Sequence, residues 1–364
     1  MEDFQGVRCP AARLEPFLQA LLQGGGACPD SAGATARALT DASVRGVDTH
    51  GIRLTPHYLR GLAAGRIKPC PTLSVERLAP AVAAVDADDG LGHWASYRAI
   101  EVGIEIAAET GLAAVAVGRS THHGAAGCYT LAAARRGFAA LAMTNADAIV
   151  APHDGKKAFF GTNPISFAVP VEGDNPLLLD MATSSIPLNR VLLRRDTGLP
   201  LPPEVAIDAE GEMTRDPFAA AALMPLGGAG YGYKGAGLAV MVDILCSAFT
   251  GMLHGARLPS FAGDGVTWPA RLGHFFIVFD TGAFQPAAAF ATRMREFLAE
   301  LRQQPARPGQ RVMAPGDPEW AAFADRSAHG VPIDQATWDS LGDYAGRFAV
   351  AVPDAVAHRG LKSV

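Results

Sequence analysis

The sequence predicts an α/β protein with a helical N-terminal part. Leu, Phe and Ala recur at helical spacing through residues 11–23 and 30–46. From about residue 81, short apolar runs alternate with helical stretches, the pattern of a sheet with helices packed on it. Hydrophobic residues make up 49% of the 364 and charged residues 18%, which suits a chain that buries one large core or two moderate ones.

The elements follow in order. Asp30 is placed to cap the second helix. Residues 52–62 read as a third helix with Ile52, Leu54, Tyr58, Leu59 and Leu62 apolar, ended by Gly65 and the Pro69/Pro71 pair. Residues 82–86, 113–117 and 139–144 read as strands, and 97–110 and 125–136 as helices between them. Further strands are expected at 165–169, 177–180 and 275–279. The stretch 189–217, rich in Pro, Asp and Arg, is expected to form surface loops. Residues 237–253 are the strongest helix, 289–302 an amphipathic one, and 305–316 a Pro/Gly-rich return. The simplest organisation has three parts: a helical part over 1–80 that packs with the C-terminus, a central α/β core over 81–303, and a return segment with helices over 304–364.

Net charge is −5 and no basic patch is interleaved with aromatics, which argues against nucleic acid or an anionic membrane as partner. The most apolar stretch, 237–253, contains Asp243, Ser247 and Gly251 and reads as a buried helix, not a membrane span. Cys9, Cys28, Cys70, Cys128 and Cys246 are scattered without a CxxC pair, so no zinc ribbon or redox dithiol motif is present. Reduced thiols and an N-terminus without a basic, then apolar, leader lead us to expect a cytoplasmic protein.

The run Gly46-Val47-Asp48-Thr49-His50-Gly51-Ile52-Arg53 gathers an imidazole, a hydroxyl and a guanidinium, with a glycine that lets a ligand near the backbone. His50 can exchange a proton near neutral pH, and Arg53 can hold a small carboxylate at two points. With a hydride from elsewhere, that is most of what interconverts a 2-oxo and a 2-hydroxy acid. Taken alone, the octet fits a polar helix face with an incidental His equally well.

Residues 120–127, Ser-Thr-His-His-Gly-Ala-Ala-Gly, follow a predicted strand and open a predicted helix, offering free N–H groups to a phosphate. His122 and His123 raise a metal site, but adjacent side chains diverge and no carboxylates cluster nearby, so no metal is expected. Gly161-Thr162-Asn163-Pro164 is a tight turn, and residues 179–184 end a strand with an acid and two hydroxyls. The second suits either binding at a strand's carboxyl end or a capped turn. Gly230-Tyr231-Gly232-Tyr233-Lys234-Gly235 satisfies GxGxxG formally, yet Pro225 and two glycines precede it where a strand is needed. It reads as a glycine-rich loop with one Lys, opening an apolar helix and still able to take a phosphate. GxSxG and HExxH are absent, which removes two hydrolase classes.

Taken in order, eight blocks resemble the malate/L-lactate dehydrogenase family, which is unrelated to the Rossmann lactate and malate dehydrogenases. They are Arg45–Gly51, Ser120–Gly127, Thr144-Asn145, Ala151-Pro152, Gly161–Pro164, Asp180–Ser184, Lys234–Leu238 and Pro315–Glu319, spanning about 33–333. The resemblance implies a non-Rossmann nicotinamide-binding core and a homodimer that uses NAD(H) or NADP(H) on a small carboxylate substrate. It implies His50 as acid/base beside Thr49, and Arg53, Tyr58, Asn163 and Arg190 against substrate. It further implies His123, Gly124, Ala125, Gly127, Thr162, Asp180, Met181, Ala182, Thr183, Tyr233, Lys234, Gly316, Asp317 and Pro318 against the cofactor.

Two positions depart from the family pattern. Many members place an arginine four residues after the histidine; here that residue is Leu54 and the arginine is Arg53, about 100° round a helix. The family's imino-acid reductases carry an Asp where this chain has Arg190, which tilts the reading toward 2-oxo acids over cyclic 2-imino carboxylates. Arg190, Arg194 and Arg195 suit either a 2′-phosphate or a solvated basic loop. A non-catalytic binder and a metal hydrolase using His122 and His123 are the readings from other classes.

Overall fold

The computed structural model describes residues 3–261 and 268–361. Seven strands form the central sheet: β2 (Ser74–Ala79), β3 (Val82–Asp86), β4 (Leu112–Ser120), β5 (Phe138–Thr144), β6 (Ile165–Val169), β7 (Leu177–Met181) and β10 (Leu272–Asp280). Their order is β2-β3-β4-β10-β5-β6-β7. Only β3 and β4 pair in parallel; every other neighbouring pair is antiparallel, as in His274↔Thr144 between β10 and β5. This is a mixed sheet, not the parallel sheet of a Rossmann domain.

Helices α4 (Gly92–Thr110) and α5 (Gly127–Ala134) cover one face. There Ile100, Ile104 and Ala107 meet Val115, Val117, Phe276 and Val278 in the largest buried cluster. The long helix α7 (Gly228–Ser247) covers the other face, with Val242 and Cys246 on Met143 and Phe275.

The N-terminal helices α1 (Ala11–Gly24), α2 (Pro29–Val44) and α3 (Thr55–Ala63) build a second core. Leu14, Leu18, Leu21, Leu39 and Tyr58 pack there with Val331, Ile333 and Leu341 from near the C-terminus. Strand β1 (Asp3–Cys9) lies between β11 (Val331–Asp334) and β12 (Val356–Leu361), antiparallel to both, so the two ends of the described chain share one small sheet.

Four expectations are corrected. Asp30 does not cap α2 but lies inside its first turn, and the N-cap is Cys28 with Pro29 opening the helix. Residues 189–217 are not all loop: α6 (Leu188–Thr197) forms there and ends at left-handed Gly198. Its Val191 is buried with Leu201, Val205 and Ala206, and that contact outweighs the polar composition. The short strands β8 (Ala206–Ile207) and β9 (Ala222–Leu223) pair beyond it. Residues 52–62 split into a 3₁₀ turn, Ile52–Leu54, followed by α3. Helix α7 starts at Gly228, so the GxGxxG run is helical, not a loop. A Cβ on Gly235 would stand 2.4 Å from the Leu226 nitrogen, so the glycine there serves close packing of the helix on the preceding chain.

The remaining helices are α8 (Thr281–Phe284), α9 (Ala287–Arg302), α10 (Asp317–His329) and α11 (Gln335–Phe348). Among the described residues, no helix is long and apolar enough to cross a membrane.

Candidate active site

The His50 turn follows the end of α2. Asp48–His50 form one 3₁₀ turn, and the Thr49 hydroxyl lies 2.8 Å from His50 Nδ1. The turn is held from α10, where Arg326 donates to both Asp48 carboxylate oxygens at 2.6 and 2.9 Å and also to the Ser43 carbonyl. Gly51 is required by close approach: a Cβ would stand 2.0 Å from Ser43 Oγ, which accepts the Ile52 N–H at 3.0 Å. The space beside this glycine is therefore filled by Ser43 instead of a ligand. His50 is half-buried, and desolvation pushes its pKa down to about 4.

The second wall is the turn after β4. The His122 ring stacks on His50 with centroids 5.7 Å apart and planes 22° apart. Its Nδ1 accepts from the Tyr58 hydroxyl at 2.7 Å and from the Gly124 N–H at 3.3 Å. Desolvation, together with the neighbouring His50 and His57, holds the His122 pKa well below the usual imidazole value. Phe261 closes this side, its ring 3.8 Å from that of His57 and 4.8 Å from that of His122.

Several expected contacts lie elsewhere. His123 turns away from His122 into the core, fully buried, with Ser96 Oγ 2.9 Å from its Nδ1 and the His274 ring stacked at 4.3 Å. No face of it is left for a cofactor. Tyr58 is fully buried behind His122, so it acts on the site through that ring. Asn163 is buried and donates to the Ala239 carbonyl of α7 at 3.0 Å, away from any substrate space. Ala125 is nearly closed to solvent. Arg53 is exposed and Leu54 packs on the N-terminal core, so the altered arginine position is not compensated by a turn of the chain. Arg190 sits in the first turn of α6 with no hydrogen bond or ion pair to the His50 cluster among the described residues.

The expected cofactor residues form a chain of contacts along edge strand β7. The Asp180 carboxylate accepts the Gly127 N–H at 2.8 Å, and desolvation raises its pKa to about 6 against that hydrogen bond. Met181 and Ala182 follow, half-buried. Thr183 bonds back to the carbonyls of Thr162 and Asn163 at 3.0 and 3.2 Å. Its own carbonyl accepts the Leu226 N–H, and Leu226 in turn accepts from Gly235 in the first turns of α7. There Lys234 is exposed, its ammonium 5.4 and 5.9 Å from the ring centres of Tyr231 and Tyr233. At the other end of β7, the Leu178 N–H donates to Pro315, placing buried Gly316 and exposed Pro318 against the strand. Asp317 is already engaged by Arg302 and the Ala314 N–H.

This donor set fits an anionic dinucleotide. Lys234 has no acidic partner among the described residues and the Thr162 turn is partly exposed, while the Gly127 N–H is already taken by Asp180. No group of three or more His, Cys, Asp or Glu among the described residues is disposed to hold a metal.

Sequence reasoning passed over His122 except as a metal ligand, and it missed His57, Phe261 and the Arg326–Asp48 clamp. For His122 the signal was present: of two adjacent histidines after a strand, one faces the core and the other the site. The clamp joins positions far apart in the chain, and no local pattern marks it.

The family model described as malate/L-lactate dehydrogenase matches residues 9–342. A malate dehydrogenase of Pyrococcus abyssi is 35% identical over 96% of this chain and 97% of its own. A (2R)-3-sulfolactate dehydrogenase (NADP(+)) of Chromohalobacter salexigens is 36% identical over 85% and 90%. A ureidoglycolate dehydrogenase (NAD(+)) of Escherichia coli is 31% identical over 84% and 86%. Among solved structures, the malate dehydrogenase of Pyrococcus horikoshii superposes with a TM-score of 0.86 at 32% identity, over 96% of this chain and 97% of that one. The Δ1-piperideine-2-carboxylate reductase of Pseudomonas syringae does so with 0.83 at 31%, over 93% and 99%.

Proposed function

We propose that this chain, which belongs to the malate/L-lactate dehydrogenase family, oxidises small 2-hydroxy acids and reduces the matching 2-oxo acids, with NAD(H) or NADP(H) accepting or supplying the hydride. The observation that carries the reading is His50, oriented through Nδ1 by Thr49 and stacked on His122, in a chain matched by the family model over residues 9–342.

The residues divide the work. In oxidation, neutral His50 takes the hydroxyl proton; its low pKa keeps it ready as a base at neutral pH. In reduction it returns that proton, and the carboxylate of a bound substrate raises its pKa toward the range where it can do so. His122 contributes an N–H to the same space, with Tyr58 fixing its tautomer. Phe261 and His57 exclude water on that side. Arg53 is exposed and no contact among the described residues places it beside His50, so the group that takes the substrate carboxylate is not assigned. Thr162, Lys234 and the Gly316 turn would hold the dinucleotide along β7, with buried Thr183 and Asp180 bracing the chain around them.

The piperideine-2-carboxylate reductase among the similar structures keeps C=N reduction as the second reading. The hydroxy-acid dehydrogenases among the relatives favour the oxo-acid reading. A second copy of the chain is the expected partner and the cytoplasm the expected location, the latter on a cysteine pattern without a disulfide framework.

The test is absorbance at 340 nm with NADH and NADPH against 2-oxo acids and cyclic 2-imino acids. Cofactor oxidation with an oxo acid supports the first reading. Oxidation with cyclic imines alone replaces it with the second.

A further inference from the structure

We propose that Cys28 and Cys70 are a redox-modification site that closes into a reversible intrachain disulfide. The two residues are far apart in sequence but adjoin in the fold. The Cys28 N–H donates to the Pro69 carbonyl at 3.0 Å, and the Cys70 thiol lies 3.9 Å from the Gly26 carbonyl. The Cys70 thiol is one of the neighbours that raise the Cys28 thiol's pKa, after burial. The backbone bond from Cys28 to the residue preceding Cys70 brings the two chain segments side by side, and a disulfide needs Cα atoms about 4.4–6.8 Å apart.

Accessibility singles out this pair. Cys70 is exposed and Cys28 is partly so, whereas Cys9, Cys128 and Cys246 are buried. Burial pushes the Cys9 thiol up to about 11 and the Cys128 thiol up to about 12; it raises Cys28 as well, together with the Cys70 thiol beside it, so exposure is what sets the pair apart and Cys70 reacts first. Exposed Cys70 is the thiol that meets an oxidant first, and Cys28, at the start of α2, is the resolving partner.

Hydrogen peroxide is a sufficient oxidant. The Cys70 thiolate attacks one peroxide oxygen, the O–O bond breaks, and a sulfenic acid and one water result. The Cys28 thiolate then attacks the Cys70 sulfur, the S–S bond forms, and the hydroxide that leaves takes a proton to give the second water. Two thiols lose two electrons and two protons, and the peroxide is reduced. The bond ties the turn before α2 to the strap after α3, and these two helices flank the His50 turn.

The test treats the full chain with dilute hydrogen peroxide, then counts thiols after unfolding and maps peptides without reductant. The expected result is a fall from five free thiols to three, with one cross-linked peptide joining Cys28 to Cys70, reversed by dithiothreitol. The melting midpoint should rise by a few degrees on oxidation and stay put in Cys28→Ser. Five surviving thiols, a Cys70 bond between two chains, or Cys70 sulfinic acid beside a free Cys28 would each overturn the proposal.

Discussion

Tyr58 donates its phenolic proton to His122 Nδ1 across 2.7 Å from a fully buried position. The Gly124 N–H is aimed at the same nitrogen, so that nitrogen is an acceptor and neutral His122 carries its proton on Nε2. Tyr58→Phe keeps the ring in its pocket and removes the stronger of the two donors. We expect kcat/KM to fall about tenfold, the worth of roughly one hydrogen bond, with the fold intact. Steady-state kinetics beside circular dichroism would check it; unchanged kinetics would show that the tautomer of His122 does not matter.

His50 predicts an asymmetric pH dependence. Oxidation of a hydroxy acid releases one proton, so the equilibrium shifts tenfold per pH unit and the two directions must share that slope. With its pKa near 4, His50 stays neutral above about pH 5, so kcat/KM for oxidation should be flat from there up. Reduction needs the imidazolium, so its kcat/KM should fall tenfold per unit as pH rises. A flat reduction limb up to neutrality would place the proton on the ring in the free protein. His50→Ala should lose about 10²- to 10⁴-fold in turnover while nicotinamide fluorescence still reports cofactor binding.

The Arg326–Asp48 clamp predicts a mutation with an effect far from its own helix. Arg326 reaches from α10 to the carboxylate two residues before His50 and to the carbonyl at the end of α2. Arg326→Lys keeps the charge but cannot make the two-point contact. The turn then keeps one anchor, and kcat should fall more than KM changes, because the acid/base is displaced while the rest of the site is not. Melting should move by only a few degrees, since Asp48 is itself part-exposed. Equal loss with Arg326→Lys and Arg326→Ala would assign the clamp to charge alone.

The parts of this molecule legible in the sequence were those written in local periodicity. Strands β3, β5, β6 and β7 alternate or run apolar within a few residues of their observed bounds, and α2 and α9 show their faces. Helix α7 was half-hidden because five glycines fill its first turns, and packing on Leu226 overrode their poor propensity. The His50 turn was visible as a motif, but its supports were not. Ser43, Arg326 and Tyr58 act across the fold, and a side chain's direction, which separates His122 from His123, is fixed only once β4 is laid beside β10.

Helix α7 is apolar on both sides, and that asks for a partner. Val242 and Cys246 face the sheet, yet Val240, Met241 and Ile244 stand 42%, 42% and 48% exposed on the opposite side, with Phe249 beyond them. A helix apolar all round is ordinarily buried, and α7 also opens next to the Thr183 turn where the dinucleotide is expected. A second copy of this chain seated on that face would cover it and stiffen the Lys234 end. Ile244→Glu puts a charge in the middle of the face. If a second copy sits on that face, sedimentation of the variant should show monomer where the unaltered chain shows dimer, and cofactor affinity should weaken with it. A variant that stays dimeric would place the interface elsewhere and leave the α7 face to some other partner.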